Sequence, residues 1–240
     1  MIYVGIDDTD TLETRGTNQL ARALARHVST WLKCRGIVRH QLLFDRRVPY
    51  TSKNGSASLW FELVAERPVE YADVERLIGV LRQGMLDDFI PGSDPGLCVA
   101  RRVSDELVAF GRECQRRIVT QDEAHETARR AGVHLEGLGG TNQGVIGALA
   151  AVGLISTGDD GRVVRMGDWP DDLSGPTPIA VLHARGVRVW DESTDRELLD
   201  AAAIIDVGKH LRPNLRRRAY TLFVRPAAAP PPHWLAQKHV

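Results

Sequence analysis

The sequence predicts an α/β first part followed by a smaller α+β second part. Three observations carry this. Apolar runs of strand length alternate with stretches of helical period as far as Leu154. A glycine-rich loop, "EGLGGTNQG", runs straight into the apolar helix "VIGALAAVGL". After Gly153 only short strand-like runs remain, separated by Pro, Gly and Asp.

In order, Ile2–Ile6 reads as a buried strand that ends on an acidic loop. Leu20, Ala21, Leu24, Ala25, Val28, Trp31 and Leu32 recur at helical spacing, predicting a helix over Thr17–Cys34 that stops at Gly36. Gly36–Phe44 and Ala57–Val64 are expected strands around the loop "DRRVPYTSKNGSA". Val69–Leu86 is an expected helix with Leu77, Ile78 and Leu81 on one face, and the loop "PGSDPG" leads to a strand at Leu97–Val99. Helices follow at Ser104–Ile118 and Gln121–Ala131, the second opened by a capping box between Thr120 and Glu123. Beyond the glycine-rich helix, strands are expected at Val163–Met166, Ile179–Val181, Val187–Val189 and Tyr220–Val224. The stretch "PAAAPPPHWLAQKHV" reads as a tail. The expected domains are 1–155 and 156–226, with the tail over 227–240.

Composition narrows the function classes. With 31 basic and 31 acidic residues among 240, net charge is zero, so any nucleic-acid contact must come from local patches. No apolar run reaches membrane-span length and no signal peptide precedes the first strand, which points to the cytoplasm. Cys34, Cys98 and Cys114 have no CxxC spacing and read as reduced, buried thiols. His125, His134 and His183 are isolated, without ligand spacing.

The strongest chemical signal is "IDDTD", with Asp7, Asp8 and Asp10 crowded where a strand ends. Two carboxylates about 4 Å apart repel by roughly 4 kcal/mol at an effective dielectric near 20. A cation between them, or a retained proton, relieves that cost. Hard oxygen donors at this spacing suit Mg²⁺, which borrows further oxygens from a phosphate ligand. A helix starting near Thr17 offers its positive end to the same phosphates. An Asx-rich turn that merely caps the helix remains the structural alternative.

Three weaker signals follow. Lys53, one of four lysines, lies with Asn54 and Gly55 in a loop where backbone amides could approach an anion. Gly139, Gly140 and Gly144 precede a helix without matching a P-loop. "KHLRPNLRRRAY" carries Lys209, Arg212, Arg216, Arg217 and Arg218, a solvated edge or a phosphate-binding run.

"VGIDDTD" with Thr17 seven positions after Asp10 resembles the start of the archaeal tRNA-Ile2 agmatinylcytidine (agmatidine) synthetases. "VPYTSKNGSASL", "DPGLCV" and "GVIGALAAVGL" resemble further segments of that family in the same order, from Met1 to about Leu154. The resemblance implies a kinase-like α/β domain over the first part and a ferredoxin-like α+β domain after it. It implies ATP and Mg²⁺ as cofactors, with Asp7, Asp8 and Asp10 holding the Mg–ATP and Thr17 the phosphorylated or phosphate-contacting threonine. Thr9, Lys53, Asn54, Gly55, Gly139, Gly140 and Gly144 are the expected ATP-binding residues. The implied reaction activates an acceptor oxygen by phosphoryl transfer for attack by an amine such as agmatine, with tRNA as a weakly held partner. Three scattered cysteines cannot build the family's zinc ribbon, so the ATP chemistry transfers more directly than the tRNA substrate.

Two rival readings stay open. "IYVGIDDTDTL" also fits a haloacid-dehalogenase-type phosphatase with Asp8 as nucleophile, Asp10 as acid/base, and Lys53 and Asp168 as later motifs. A non-catalytic nucleotide- or RNA-binding module would use Arg216–Arg218 instead.

Overall fold

In the computed structural model, residues 1–11, 16–48, 54–228 and 232–239 are described, and Lys53 falls outside them. The first strand, β1 (Ile2–Asp7), alternates as the sequence demands. Ile2, Val4 and Ile6 pack into one core while Gly5 turns to the opposite face. Around it are α1 (Thr17–His27), β2 (Leu32–Gln41), β3 (Gly55–Leu63), α2 (Tyr71–Asp87), β4 (Gly96–Ala100), α3 (Asp105–Cys114), α4 (Gln121–Ala131), β5 (His134–Gly137) and α5 (Gly144–Thr157). The second part holds β6 (Arg162–Met166), β7 (Pro176–Pro178), α6 (Ile179–Ala184), β8 (Val187–Asp191), β9 (Arg196–Glu197), β10 (Ile204–Asp206), β11 (Asn214–Arg216), β12 (Ala219–Pro226) and β13 (Trp234–Ala236). The architecture is a mixed α/β fold with six helices on one large sheet among the described residues.

The sheet runs β5-β4-β1-β3-β2-β6-β11-β12-β13-β10-β7, with β8 also on β12 and β9 on β8. β1 is antiparallel to both β3 and β4. The acidic loop therefore does not lie in a parallel-sheet crevice. It lies where β1 ends between the starts of α1 and α5.

Helices cover both faces. α1 and α2 pack over Ile2, Val4, Ile6, Ile37, Leu59 and Phe61, whereas α3, α4 and α5 form the opposite layer. α5 is apolar all round because it is sandwiched: nearly every residue from Gly144 to Ile155 is buried. Backbone meets backbone there. A Cβ on Gly5 would stand 1.9 Å from the Ala148 carbonyl oxygen, and one on Gly96 would stand 2.2 Å from the Gly144 carbonyl. Gly5→Ala should therefore destabilise the protein by at least about 2 kcal/mol, since neither helix nor strand backbone yields as a side chain does. Chemical denaturation measures it, and a loss under about 0.5 kcal/mol, the usual span of surface changes, would refute the packing argument.

Most first-part elements match the sequence reading to within a few residues, and α4 with its Thr120–Glu123 capping box matches fully. Four corrections stand out. The helix expected over Thr17–Cys34 ends at His27, because Leu32 and Cys34 bury alternately as strand residues. Gly36 is then no helix stop: it lies inside β2, where a Cβ would collide with the Trp60 ring at 2.2 Å. The strand expected at Ile179–Val181 is the short helix α6, which buries Ile179 and Leu182 one turn apart. The stretch read as a tail contributes β13, which pairs with β12 and β10.

Candidate active site

β1 delivers Asp7 to the sheet edge of a cavity of about 290 Å³, and the chain then turns sharply. Asp8 sits at φ 51°, in the left-handed region that Asp tolerates better than most residues. Its carbonyl accepts the Asp94 N–H at 3.1 Å, which ties the acidic loop to the "GSDPG" loop. Asp94 in turn accepts the Thr141 hydroxyl at 2.7 Å and the Thr141 N–H, and its carbonyl accepts the Gly144 N–H at 3.0 Å. One aspartate thus pins three loops at the start of α5.

Asp7, Asp8, Asp10, Thr17, Asn54 and Gly55 all face this one cavity, as the sequence reading brought them together. Asp7 keeps some surface toward the cavity, but protein closes round it elsewhere. Burial, then the charge of Asp8, push its acid up to about 7. Asp8 is half-buried and is pushed up to about 6 by burial, then by Asp94 and Asp10. The repulsion inferred from sequence is thus present, and protons relieve it. Among the described residues no three carboxylate, His or Cys side chains converge as a metal cage. A cation in this cavity would therefore draw on water or a bound ligand as well as on the oxygens of the acidic loop. Magnesium, which fills its remaining positions with water and phosphate, fits such a hard, acidic donor set.

α1 begins behind Gly16, the N-cap, with no side-chain cap. Thr17 is therefore the first helical residue and not the cap. Its hydroxyl accepts a hydrogen bond from Thr9 at 3.1 Å, and both are buried. Thr9 supports Thr17 from behind and does not line the cavity. Asn54 is held by its side chain, which donates to the Leu43 carbonyl at 2.8 Å.

The glycines divide differently from the sequence reading. Gly139, Gly140 and Gly144 do not line the cavity. A Cβ on Gly139 would meet Phe89, one on Gly140 would meet the Asp94 carboxylate, and one on Gly144 would meet the Asp94 carbonyl at 2.2 Å. Their smallness serves packing of the loops. The glycine that meets a reactive group is Gly147, which the sequence reading missed: its Cβ would lie 1.8 Å from Asp7 Oδ2. Its signal was its place one helical turn beyond Gly144, on the same face of α5. Asp94 was equally readable as the one charged residue in a loop of Pro and Gly.

The far wall is apolar, built from Leu42, Leu43, Ile118 and Val119. Arg47 and Arg117 stand at its margin, each engaged by acids: Arg47 by Asp45, and Arg117 by Glu113 and Glu123. Behind the site lies a network that sequence spacing could not show. His40, fully buried, contacts Asp160 through Nδ1 at 2.7 Å and Ser58 through Nε2 at 2.8 Å, and Arg112 and Gln115 donate to the other Asp160 oxygen. The three cysteines are buried free thiols, as expected, and burial pushes Cys34 up to about 11.

Asp168 lines a different cavity and pairs with Lys33 at 2.6 Å, so it does not join Asp8 and Asp10 as the phosphatase reading needs. The basic run also separates. Arg217 and Arg218 form the β11–β12 turn at positive φ, whereas Arg212 points into a groove with Asp171.

No family model and no curated protein matches the chain. Solved structures do. One described as a tRNA fluorescent labeling enzyme is 25% identical at a TM-score of 0.53, covering 63% of this chain and 35% of its own. A TiaS–tRNA(Ile2)–ATP complex is 26% identical at the same TM-score, with 63% and 36% covered. Apo TiaS, a tRNA-Ile2 agmatidine synthetase, is 24% identical at a TM-score of 0.50 and supports the fold alone. The chain thus spans about 35% of the length of the structures it matches. No described helix is long and apolar enough to cross a membrane. The chain has a TiaS-like fold.

Proposed function

We propose that the protein is an ATP-dependent enzyme that activates an oxygen of a nucleic-acid or nucleotide acceptor by phosphoryl transfer, for displacement by an amine. The observation that carries this is the crowding of Asp7, Asp8 and Asp10 against the uncapped start of α1 in one cavity. The likeness to an ATP-bound tRNA-modifying protein supports it. Residues 1–155 form the ATP-binding, kinase-like part on this reading, and 156–226 the ferredoxin-like part.

The apolar wall of Leu42, Leu43, Ile118 and Val119 suits a purine ring, while the carboxylates and the start of α1 suit the phosphates and their cation. Asp7, Asp8 and Asp10 would hold Mg²⁺, directly or through its waters, and the ion would neutralise charge on the phosphates. The positive end of α1 offsets charge on the transferring group. Thr17, whose oxygen accepts from Thr9, keeps its own proton for a phosphate oxygen in the cavity. Gly147 leaves Asp7 the space in which it sits.

Isothermal titration of Mg–ATP into wild type, Asp8→Asn and Asp10→Asn tests the reading. Each variant is expected to lose about tenfold or more in affinity, the worth of one charge-assisted interaction. Unchanged affinity in both rules the site out. Release of phosphate from simple monoesters without ATP turnover would favour the phosphatase reading instead.

A further inference from the structure

We propose that the groove between α1 and β6 is an anion site separate from the carboxylate cavity, which takes the phosphate groups of a phosphodiester strand. The groove has a volume of about 490 Å³ and is lined by Asn18, Gln19, Arg22, Arg26, Arg162 and Arg212. The single carboxylate on its described wall, Asp171, is already shared. It accepts both Nη groups of Arg212 at 2.6 and 2.8 Å and Arg22 Nη2 at 3.0 Å. Four guanidinium groups thus face one carboxylate in a chain whose overall net charge is zero.

Arg162 makes the imbalance sharpest. Its Nε is buried and has no hydrogen-bond partner among the described residues. Burial, then the charge of Arg212, push its guanidinium down, and Arg39, its cross-strand neighbour, is pushed down by burial and then by Arg162. A buried donor left unmade is costly, more so when the group is charged, and an anion in the groove would relieve that cost. Arg22 and Arg212 are held in place by Asp171, so their forks are arranged before any ligand arrives. Arg26 follows one turn after Arg22 and is exposed.

The adjoining recess of about 250 Å³ shares Arg22, Arg26 and Arg212 and adds Trp169, which is 47% exposed. A basic groove beside an exposed aromatic ring suits a phosphodiester strand whose bases stack, more than free phosphate. The first turn of α1 separates this groove from the carboxylate cavity: Thr17 lines one, Asn18 and Gln19 the other. A strand held here would reach the carboxylates round a single helical turn. The inference stands on the arginines alone and does not need the ATP reading.

The test is fluorescence anisotropy with a short labelled oligouridylate, at several salt concentrations, with inorganic phosphate and a mononucleotide as competitors. Wild type is expected to bind with a log–log salt slope of about −2, three neutralised phosphates at about −0.7 each. Arg26→Glu and Arg162→Gln should each weaken binding about fivefold or more and flatten the slope. Arg196→Glu, remote on β9, should not. Trp169→Ala should weaken the oligonucleotide but not phosphate competition. Mg–ATP affinity should be unchanged in Arg26→Glu, an exposed site that leaves the fold intact. Wild type that binds inorganic phosphate by isothermal titration, lost in Arg162→Gln, but does not bind the oligonucleotide would assign the groove to a free phosphate. Wild type that binds none of the probes, or groove variants that match Arg196→Glu, would overturn the proposal.

Discussion

Between pH 5 and pH 8 the ligand-free protein is expected to lose up to roughly 3 kcal/mol of folding stability, and Asp7→Asn should abolish most of that loss. The sign follows from the direction of the shift. Asp7 has its acid raised from 3.8 to about 7 in the fold, so the native state holds a proton that the unfolded chain releases. That contribution is fully present below the ordinary carboxylate range. It falls away as pH rises through about 7 and is flat above. Each unit of difference is worth about 1.4 kcal/mol, and two of the three units fall inside this window. Asp8, raised to about 6 and more open to solvent, adds a smaller loss of the same sign. Carboxylates pushed down by arginines, such as Asp73 at about 2, act in the opposite sense but only below about pH 4. Urea denaturation at the two pH values measures the effect. Equal stability at both, or a wild-type slope in Asp7→Asn, would show that the carboxylates are not crowded as described.

How much of this could be read from the chain depends on which interactions are local. The carboxylate crowding at Asp7–Asp10 was legible because it lies within one turn of sequence, and the α4 capping box for the same reason. The long helices were legible because a 3.6-residue period is written many times over in them. The end of α1 was not, since Trp31 and Leu32 continue the helical period by coincidence and only pairing with β3 makes a strand from Leu32 onward. The short strands of the second part and β13 carry three residues or so each, too few for any period to register. The glycines at 139, 140 and 144 invite a phosphate-loop reading, and only the third dimension shows Asp94 and Phe89 in the space a ligand would need. The His40–Asp160 contact spans 120 positions, and the Arg22–Asp171 pair spans 149. Spacing within a sequence says nothing about partners so far apart. The arginine run at 212–218 shows the converse, since neighbours in sequence are parted by a hairpin turn.

Thr17→Ala is expected to keep a melting temperature within a few degrees of wild type, yet to lose about a hundredfold or more in ATP turnover. Stability is little affected because Thr17 does not cap α1; Gly16 holds that position, so the usual capping loss does not apply. What is lost structurally is one hydrogen bond with Thr9, worth about 1 kcal/mol. The rate responds differently. Phosphoryl transfer depends on positioned oxygens and charge around the moving group, and removing one such donor commonly costs about 10²–10³ in rate. Thr17 is the hydroxyl at the head of α1 that faces the carboxylates, and Thr9 fixes its orientation from behind. Thr17→Ser keeps the oxygen and should retain much of the turnover. Thr9→Ala leaves the Thr17 oxygen in place but frees its rotation, so an intermediate loss is expected, with the melting temperature again nearly unchanged. Steady-state ATP hydrolysis and thermal melts on the three variants give both quantities. Intact-mass analysis after incubation with Mg–ATP adds a direct readout: a phosphorylated fraction mapping to Thr17 would make it a relay, and none would leave it a phosphate ligand. Wild-type turnover in Thr17→Ala would reduce Thr17 to a packing residue and remove the hydroxyl from the chemistry of the site.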